Sequence, residues 1–295
     1  MSGPTSIFDA QLINGLSVNI EDWFRIGVRD QCIDDGRLGT LSDRLERNCD
    51  QFLQMFGDHD VKATFFVLGS VARQHPFLLR RISNEGHELA SHGWDHSRVY
   101  RMEREEFARD LELSRKAIED AVGLPVTGYR APSFSIDRRT PWAYMILAEQ
   151  GFTYSSSVAP VAHEHYGWSE APRFTFRPLP WSELLEIPVA TAMFAGRRLQ
   201  ADSGYFRVMP YGLPRWAIRQ VNRREGRPAV FYLNPWEVDP EAQHPANAGS
   251  EMGMRSPGNP DMTVEKLRHL IREFEWGRMD VLARREASKA VTLVA

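Results

Sequence analysis

The sequence predicts an α/β barrel of parallel strands with helices wrapped around them. Three observations point to it. Short apolar runs alternate with helical periods along most of the chain, as in stacked strand–helix units. Residues 62–68 (KATFFVL) are almost continuously apolar, the pattern of a strand buried on both faces of a parallel sheet. The length, 295 residues, is one that such barrels use as a single unit.

The elements follow in order. Strands are expected at 16–24, 62–68, 87–91, 126–130, 152–156, 184–189 and 229–233, about seven in all. Between the first two, apolar residues at Leu41, Leu45, Cys49, Phe52, Leu53 and Phe56 mark a helix that Gly57 should close. A second stripe, Phe107, Leu111, Ser114, Ile118 and Val122, should end at Gly123. Residues 160–180, rich in Pro, His and Arg, read as a long loop over the face where barrel sites are built. The tail after Asp280 reads as peripheral. No linker or repeat divides the chain, so one domain spanning 1–295 is expected, with its core at about 12–280.

Composition narrows the function classes. Apolar residues make up 42% and charged residues 25%, the proportions of an ordinary globular protein. A net charge of -3 suggests neither a dedicated nucleic-acid surface nor an anionic-membrane surface. No run approaches the length of a membrane span, and residues 1–11 lack a signal-peptide core. With two cysteines, Cys32 and Cys49, no disulfide framework is needed, and the expected compartment is the cytoplasm. Nothing in the sequence addresses oligomeric state.

Three clusters can carry chemistry. His92-Gly93-Trp94-Asp95-His96 follows a strand and spaces two imidazoles as on one side of a helical turn, where they can share a metal ion. Alone the spacing is weak, and a chance pair of surface histidines is the first reading of it. Glu21 and Asp22, at the end of the first strand, would complete a two-histidine, one-carboxylate set; their bland reading is a capping or solvated pair. The stretch 128–135 (GYRAPSFS) places Arg130 at a strand end, able to grip a carboxylate with two parallel hydrogen bonds, or else a surface arginine before a turn. Finally 231–237 (FYLNPWE) is a buried run ending in polar and aromatic residues, in which Trp236 serves either packing or binding.

Taken together, these blocks resemble the NodB-homology polysaccharide deacetylases, and among them the branch associated with exosortase and exopolysaccharide gene clusters. The resemblance rests on 17–24 (SVNIEDWF), 63–69 (ATFFVLG), 86–92 (GHELASH), 128–136, Tyr166-Gly167, 204–207 (GYFR) and 232–237 (YLNPWE). It implies a deformed (β/α)7 barrel, a divalent metal, usually zinc, held by one acid and two histidines, and hydrolysis of N-acetyl groups on amino sugars. By position the ligands would be His92, His96 and either Glu21 or Asp22. On a strand Asn19 and Glu21 share a face, which favours Glu21 if the strand continues that far. Arg130 would orient the base, and Trp236 would line the acyl pocket. Pro132, Ser133, Phe134 and Tyr205 lie in the matching blocks, and Trp94 lies between the two histidines. His163 and Tyr166 lie in the long loop, and all seven are expected to contact a small-molecule or oligosaccharide substrate.

The departures are as informative as the matches. Asn19 stands where the family has its base aspartate, and Asn234 where it has its acid histidine; asparagine does not titrate. Ser155 replaces a common aspartate, and Asp202 falls in a normally glycine-rich turn. The expected function is therefore metal-dependent hydrolysis of a carbon–nitrogen bond with altered proton carriers, for which Asp22, Asp95, Glu237, His163 and Asp202 are candidates. Two alternatives stand beside it. One is cyclic amide or ureide hydrolysis, because the first motif also resembles that of cofactor-independent allantoinases, or another metal-dependent reaction. The other is a sugar-binding protein without turnover.

Overall fold

The computed structural model describes residues 12–21, 35–162, 167–200, 203–241 and 259–293. Strands β1 (Asn14–Ile20), β2 (Thr64–Val67), β3 (Glu88–Ser91), β4 (Gly128–Tyr129) and β5 (Tyr154–Ser155) lie side by side, each parallel to the last. Next come β6 (Phe176–Arg177) and β7 (Leu185–Glu186); β7 continues the parallel series beside β5, with β6 antiparallel on its outer edge. A separate hairpin, β8 (Thr191–Phe194) and β9 (Arg197–Gln200), precedes β10 (Val230–Leu233), which lies parallel to β1 on its free side. The short β11 (Trp276–Gly277) pairs with the start of β1, and β12 (Val291–Thr292) with β6.

The seven parallel strands fall on the seven apolar runs; six are trimmed to the residues that pair, and β1 is shifted, starting at Asn14 and ending at Ile20 rather than spanning 16–24. Every residue of β1 and β2 is buried, so both faces of these strands are covered. The sheet curls. Past β7 the Ala190 N–H donates to Val230 O at 3.0 Å, which joins the far edge of the series to β10 and gives a deformed (β/α) barrel.

Among the described residues the helices are α1 (Asp35–Asp58), α2 (Gly69–Gln74), α3 (Pro76–Asn84), α4 (Arg104–Val122), α5 (Ala143–Glu149), α6 (Ser203–Val208), α7 (Gly212–Arg219), α8 (Pro260–Glu273) and α9 (Met279–Glu286). Helix α4 ends as expected at Gly123, which takes the left-handed conformation (φ 71°) that a C-terminal stop requires. Its start is fixed by a reciprocal capping box between Glu103 and Glu106. Helix α1 does not stop at Gly57. It runs to Asp58, and the left-handed residue is Asp60 (φ 51°), because an aspartate can stabilise that conformation through its own side chain.

Two other expectations change. The tail beyond Asp280 is not peripheral: Met279, Leu282 and Ala283 of α9 are buried in a second apolar cluster beneath the strands. The close packing there is why Gly15 lacks a side chain, since a Cβ would lie 2.6 Å from the Met279 sulfur. Within the expected loop 160–180, β6 forms, while residues 163–166 lie outside the described residues. No helix among the described residues is long and apolar enough to cross a membrane.

Candidate metal and amide site at the strand ends

Glu21 follows β1, His92 follows β3, Arg130 follows β4, Ser156 follows β5 and Asn234 follows β10. In a parallel barrel these positions share one face, the C-terminal one.

Glu21, His92 and His96 form the one cluster of potential metal ligands among the described residues, all three ligand atoms lying within 4.8 Å of one another. Glu21 Oε2 is 2.7 Å from His96 Nε2 and 3.2 Å from His92 Nε2. The strand has already ended at Ile20, so alternation does not place Glu21. A backbone turn does, the Glu21 N–H bonding to Asn19 O at 3.1 Å. Asp22 lies outside the described residues.

The two histidines do not share a helical turn, which corrects the expectation from their spacing. Residues 92–98 form no helix, and His96 is held at φ 67°. A non-glycine residue there costs about 1 kcal/mol or more, so its surroundings must impose the conformation. They do so through backbone bonds. Gly93 O and Trp94 O accept from the first N–H groups of α2, Gly69 and Ser70, and the Gly93 and Trp94 N–H groups donate to Ser91 Oγ and Asp110 Oδ1. Gly93 is itself left-handed (φ 76°), and a Cβ there would lie 2.9 Å from Asp110 Oδ2. Burial pushes the Asp110 carboxyl up to about 7.

The donor set fits a divalent cation. His92 Nδ1 lies 2.8 Å from Arg130 O, and a carbonyl only accepts, so Nδ1 carries the proton and Nε2 presents its lone pair to Glu21. Burial pushes the His92 pKa down, which favours that neutral form. An imidazole lone pair and a carboxylate oxygen thus face each other at 3.2 Å, a repulsion that a cation between them converts into ligation. Burial would raise the Glu21 carboxyl, but the His96 imidazole beside it, by its charge and its hydrogen bond, holds it well below the usual range. It is an anion ready to ligate.

Arg130 is wholly buried rather than a surface residue. Its guanidinium stands over the Phe66 ring at 4.0 Å, with Phe134 and Tyr232 at 5.7 and 5.6 Å. Among the described residues it grips no carboxylate, contrary to expectation. Nη1 donates to Ser17 Oγ (2.8 Å) and Asn19 Oδ1 (3.0 Å), and Nε and Nη2 donate to Ser156 O and Ser156 Oγ. Burial pulls its pKa down to about 10, still a cation at neutral pH.

From Asn19 a chain of bonds crosses the barrel mouth. Asn19 Nδ2 donates to Asn234 Oδ1 at 3.2 Å, and Asn234 Nδ2 donates to Glu237 Oε1 at 3.1 Å. Glu237 Oε2 accepts from the Asn234 N–H, and Oε1 lies 3.8 Å from Arg207 Nε. Both amide orientations follow from the ends of the chain. Arg130 can only donate, which fixes Asn19 Oδ1, and a carboxylate can only accept, which fixes Asn234 Nδ2.

The other expected residues are placed as follows. Pro132–Phe134 forms a short turn with Ser133 and Phe134 both left-handed (φ 54° and 50°), which sets the Phe134 ring 5.0 Å from that of Tyr232. Trp94 packs outward, its ring against Gly69 and 4.9 Å beneath the Arg73 guanidinium. Trp236 is half-buried in the turn after β10. Asp95 is exposed and caps Ser97. His163, Tyr166, Asp202 and the side chain of Tyr205 lie outside the described residues.

Sequence reasoning missed the support around Arg130. Glu186 Oε1 accepts the Ser157 and Val158 N–H groups at 2.7 and 2.9 Å, and Ser157 Oγ accepts the Ala131 N–H. Burial pushes Glu186 up to about 6. Its signal was a lone acid inside the apolar run 184–189, opposite Ser155 in register.

Residues 31–154 carry a match to the family model described as polysaccharide deacetylase. The deacetylase match includes His92, His96 and Arg130, while residues 156–284 match a second model, a domain of unknown function (DUF3473), which includes Asn234 and Glu237. The boundary falls at β5, and the parallel sheet runs through it. A chitooligosaccharide deacetylase of Bradyrhizobium is 29% identical over 183 residues, 62% of this chain and 75% of that one. The peptidoglycan-N-acetylglucosamine deacetylase PgdA of Listeria monocytogenes is 38% identical over 81 residues, 28% of this chain and only 17% of that relative's length. Among solved structures, one from Mycobacterium smegmatis, assigned provisionally as a polysaccharide deacetylase, superposes with a TM-score of 0.68 at 20% identity, covering 100% of this chain and 97% of that one. PuuE allantoinase superposes with a TM-score of 0.63 at 16% identity, covering 97% and 95%. At such identities the two structures speak for the fold alone.

Proposed function

We propose that the chain hydrolyses a carbon–nitrogen bond of an N-acylated amino sugar with the help of a divalent cation, zinc by the nature of its ligands. The observation that carries this reading is the convergence of Glu21 Oε2 on His92 Nε2 and His96 Nε2 beside the buried Arg130. A dication held there supplies Lewis acidity toward an amide carbonyl and toward water. The chain's own residues do the positioning. His92 is locked in one tautomer by Arg130 O, and Arg130 in turn fixes the Asn19 amide, whose neighbour Asn234 is fixed by Glu237. The named relatives act on chitooligosaccharide and peptidoglycan N-acetylglucosamine, which supports an N-acetylglucosamine oligomer as substrate.

One observation favours a second reading. Asn19 and Asn234 spend their amides on each other, and neither can take up or release a proton. A group of this kind binds an acetamido sugar without turning it over efficiently. The experiment is acetate release from N-acetylglucosamine oligomers with zinc present and after chelation. Zinc-dependent release supports hydrolysis. Oligomer binding without release supports the second reading, and neither binding nor release contradicts both.

A further inference from the structure

A basic and apolar surface lies in the region matched only by the domain of unknown function. Residues 191–228 contain eight arginines, no lysine and two acids, in a chain whose net charge is -3. Several of these arginines are committed. Arg215 and Arg219 pair with Glu273, Arg227 with Glu286, and Arg198 donates to the carbonyls of 160, 169 and 171. Arg197, Arg223 and Arg224 are exposed and have no carboxylate partner among the described residues.

The same segment gathers exposed apolar side chains. Of twelve large exposed hydrophobics among the described residues, five fall between 194 and 213: Phe194, Leu199, Val208, Met209 and Leu213. They are not scattered singly. In the β8–β9 hairpin Phe194 pairs with Arg197 and Ala192 with Leu199, so alternation puts Phe194, Arg197 and Leu199 on one face. That face meets α7, where the Phe194 ring stands edge-on to Trp216 with centroids 6.0 Å apart while remaining 59% exposed. Gln220 fastens the hairpin by bonds to Met193 N and O. Along α7 and the π-helical turn Gln220–Arg224 that extends it, Leu213, Trp216 and Arg223 or Arg224 recur at helical spacing. A groove of about 350 Å³ runs beside them, lined by Arg215, Trp216, Arg219 and Arg223.

We propose that this face docks the protein on an anionic phospholipid surface. Charge complementarity selects the partner: guanidinium groups match phosphate bidentately. The exposed Phe194, Leu199 and Leu213 select lipid over a soluble polyanion, because only a bilayer offers an apolar layer beneath its anionic headgroups.

The test is co-sedimentation of the full chain with vesicles of phosphatidylcholine alone and of phosphatidylcholine with phosphatidylglycerol. Binding is expected only to the second, weakening with added salt. The variant Arg197→Gln, Arg223→Gln, Arg224→Gln should lose about a hundredfold in affinity, and Phe194→Ser, Leu213→Ser about tenfold. Unchanged circular dichroism melting would show both variants folded. In the unaltered protein, vesicles should slow hydrogen exchange at 192–199 and 208–224 above all, a readout that needs no variant. Absence of vesicle binding overturns the proposal. So does binding that is indifferent to Phe194→Ser, Leu213→Ser and is matched by a soluble anionic polysaccharide. A protein that dimerises through this face, with the same segments protected before vesicles are added, also overturns it.

Discussion

Asn19 and Asn234 decide the chemistry. If general base and general acid each contribute about 10² to 10⁴, a site without either is slow at deacetylation. The geometry says what restoring them would do. Asn19→Asp alone places a carboxylate oxygen against Asn234 Oδ1, turning a 3.2 Å hydrogen bond into a contact of two acceptors. Asn234→His alone supplies an imidazole that Glu237 can orient but no base. Together, the imidazole can donate toward the aspartate and Glu237, and Arg130 Nη1, now 3.0 Å from Asn19 Oδ1, keeps the new carboxylate ionised. The double variant should therefore release acetate from N-acetylglucosamine oligomers at least about 100-fold faster than the unaltered chain, with each single change giving little. Acetate release that is already fast in the unaltered chain and falls on Asn19→Asp would show that Asn19 has a catalytic part of its own.

At the scale of elements, His87 shows how burial ties stability to pH. Its Nδ1 accepts the Ala63 N–H at 3.0 Å, so the ring is neutral, and it packs against Phe65 with centroids 5.2 Å apart. Burial, then the charge of Lys62, pushes its pKa down from 6.5 to about 4. Between those values the unfolded chain binds a proton that the folded one refuses. The contribution is thus present above pH ~6.5 and lost as pH falls toward ~4, up to about 3 kcal/mol. Melting temperatures measured across this window should fall less for His87→Asn, which keeps an acceptor, than for the unaltered chain; equal slopes would remove His87 from the account. The elements also show what sequence can reveal. The seven strands were legible because buried parallel strands are continuous apolar runs, and Gly123 because a glycine after a helical stripe has one physical use. The His92–His96 loop was not, since four-residue spacing suggests a helical turn, whereas here bonds from α2 and Asp110 hold a left-handed histidine. Gly57 misled for the reverse reason: a glycine can sit inside a helix at modest cost when the helix is otherwise well packed. The role of α9 was hidden because its apolar residues, Met279, Leu282 and Ala283, are few and gain meaning only under the barrel.

The whole molecule brings to one face groups from distant parts of the chain. Asn19 comes from the first strand and Glu21 from the turn after it, the histidines and Arg130 from the matched deacetylase region, and Asn234, Glu237 and Arg207 from the region of unknown function. The candidate ligands His92, His96 and Glu21 were readable as residue types at strand ends. The cage around Arg130 and the Asn19–Asn234–Glu237 chain were not, because they join residues up to 215 positions apart through hydrogen bonds that leave no spacing in the sequence. The central claim is that Glu21, His92 and His96 hold one dication. A ligand that binds the folded chain alone stabilises it by about 2.7 kcal/mol at a hundred times its dissociation constant. The direct measurement is calorimetric titration of the chelated protein with zinc, read beside the melting temperature, for the unaltered chain and for His92→Ala, His96→Ala. The unaltered chain should take up about one ion and melt several degrees higher once loaded, and the variant should do neither. Equal uptake and equal stabilisation in both proteins would contradict the site.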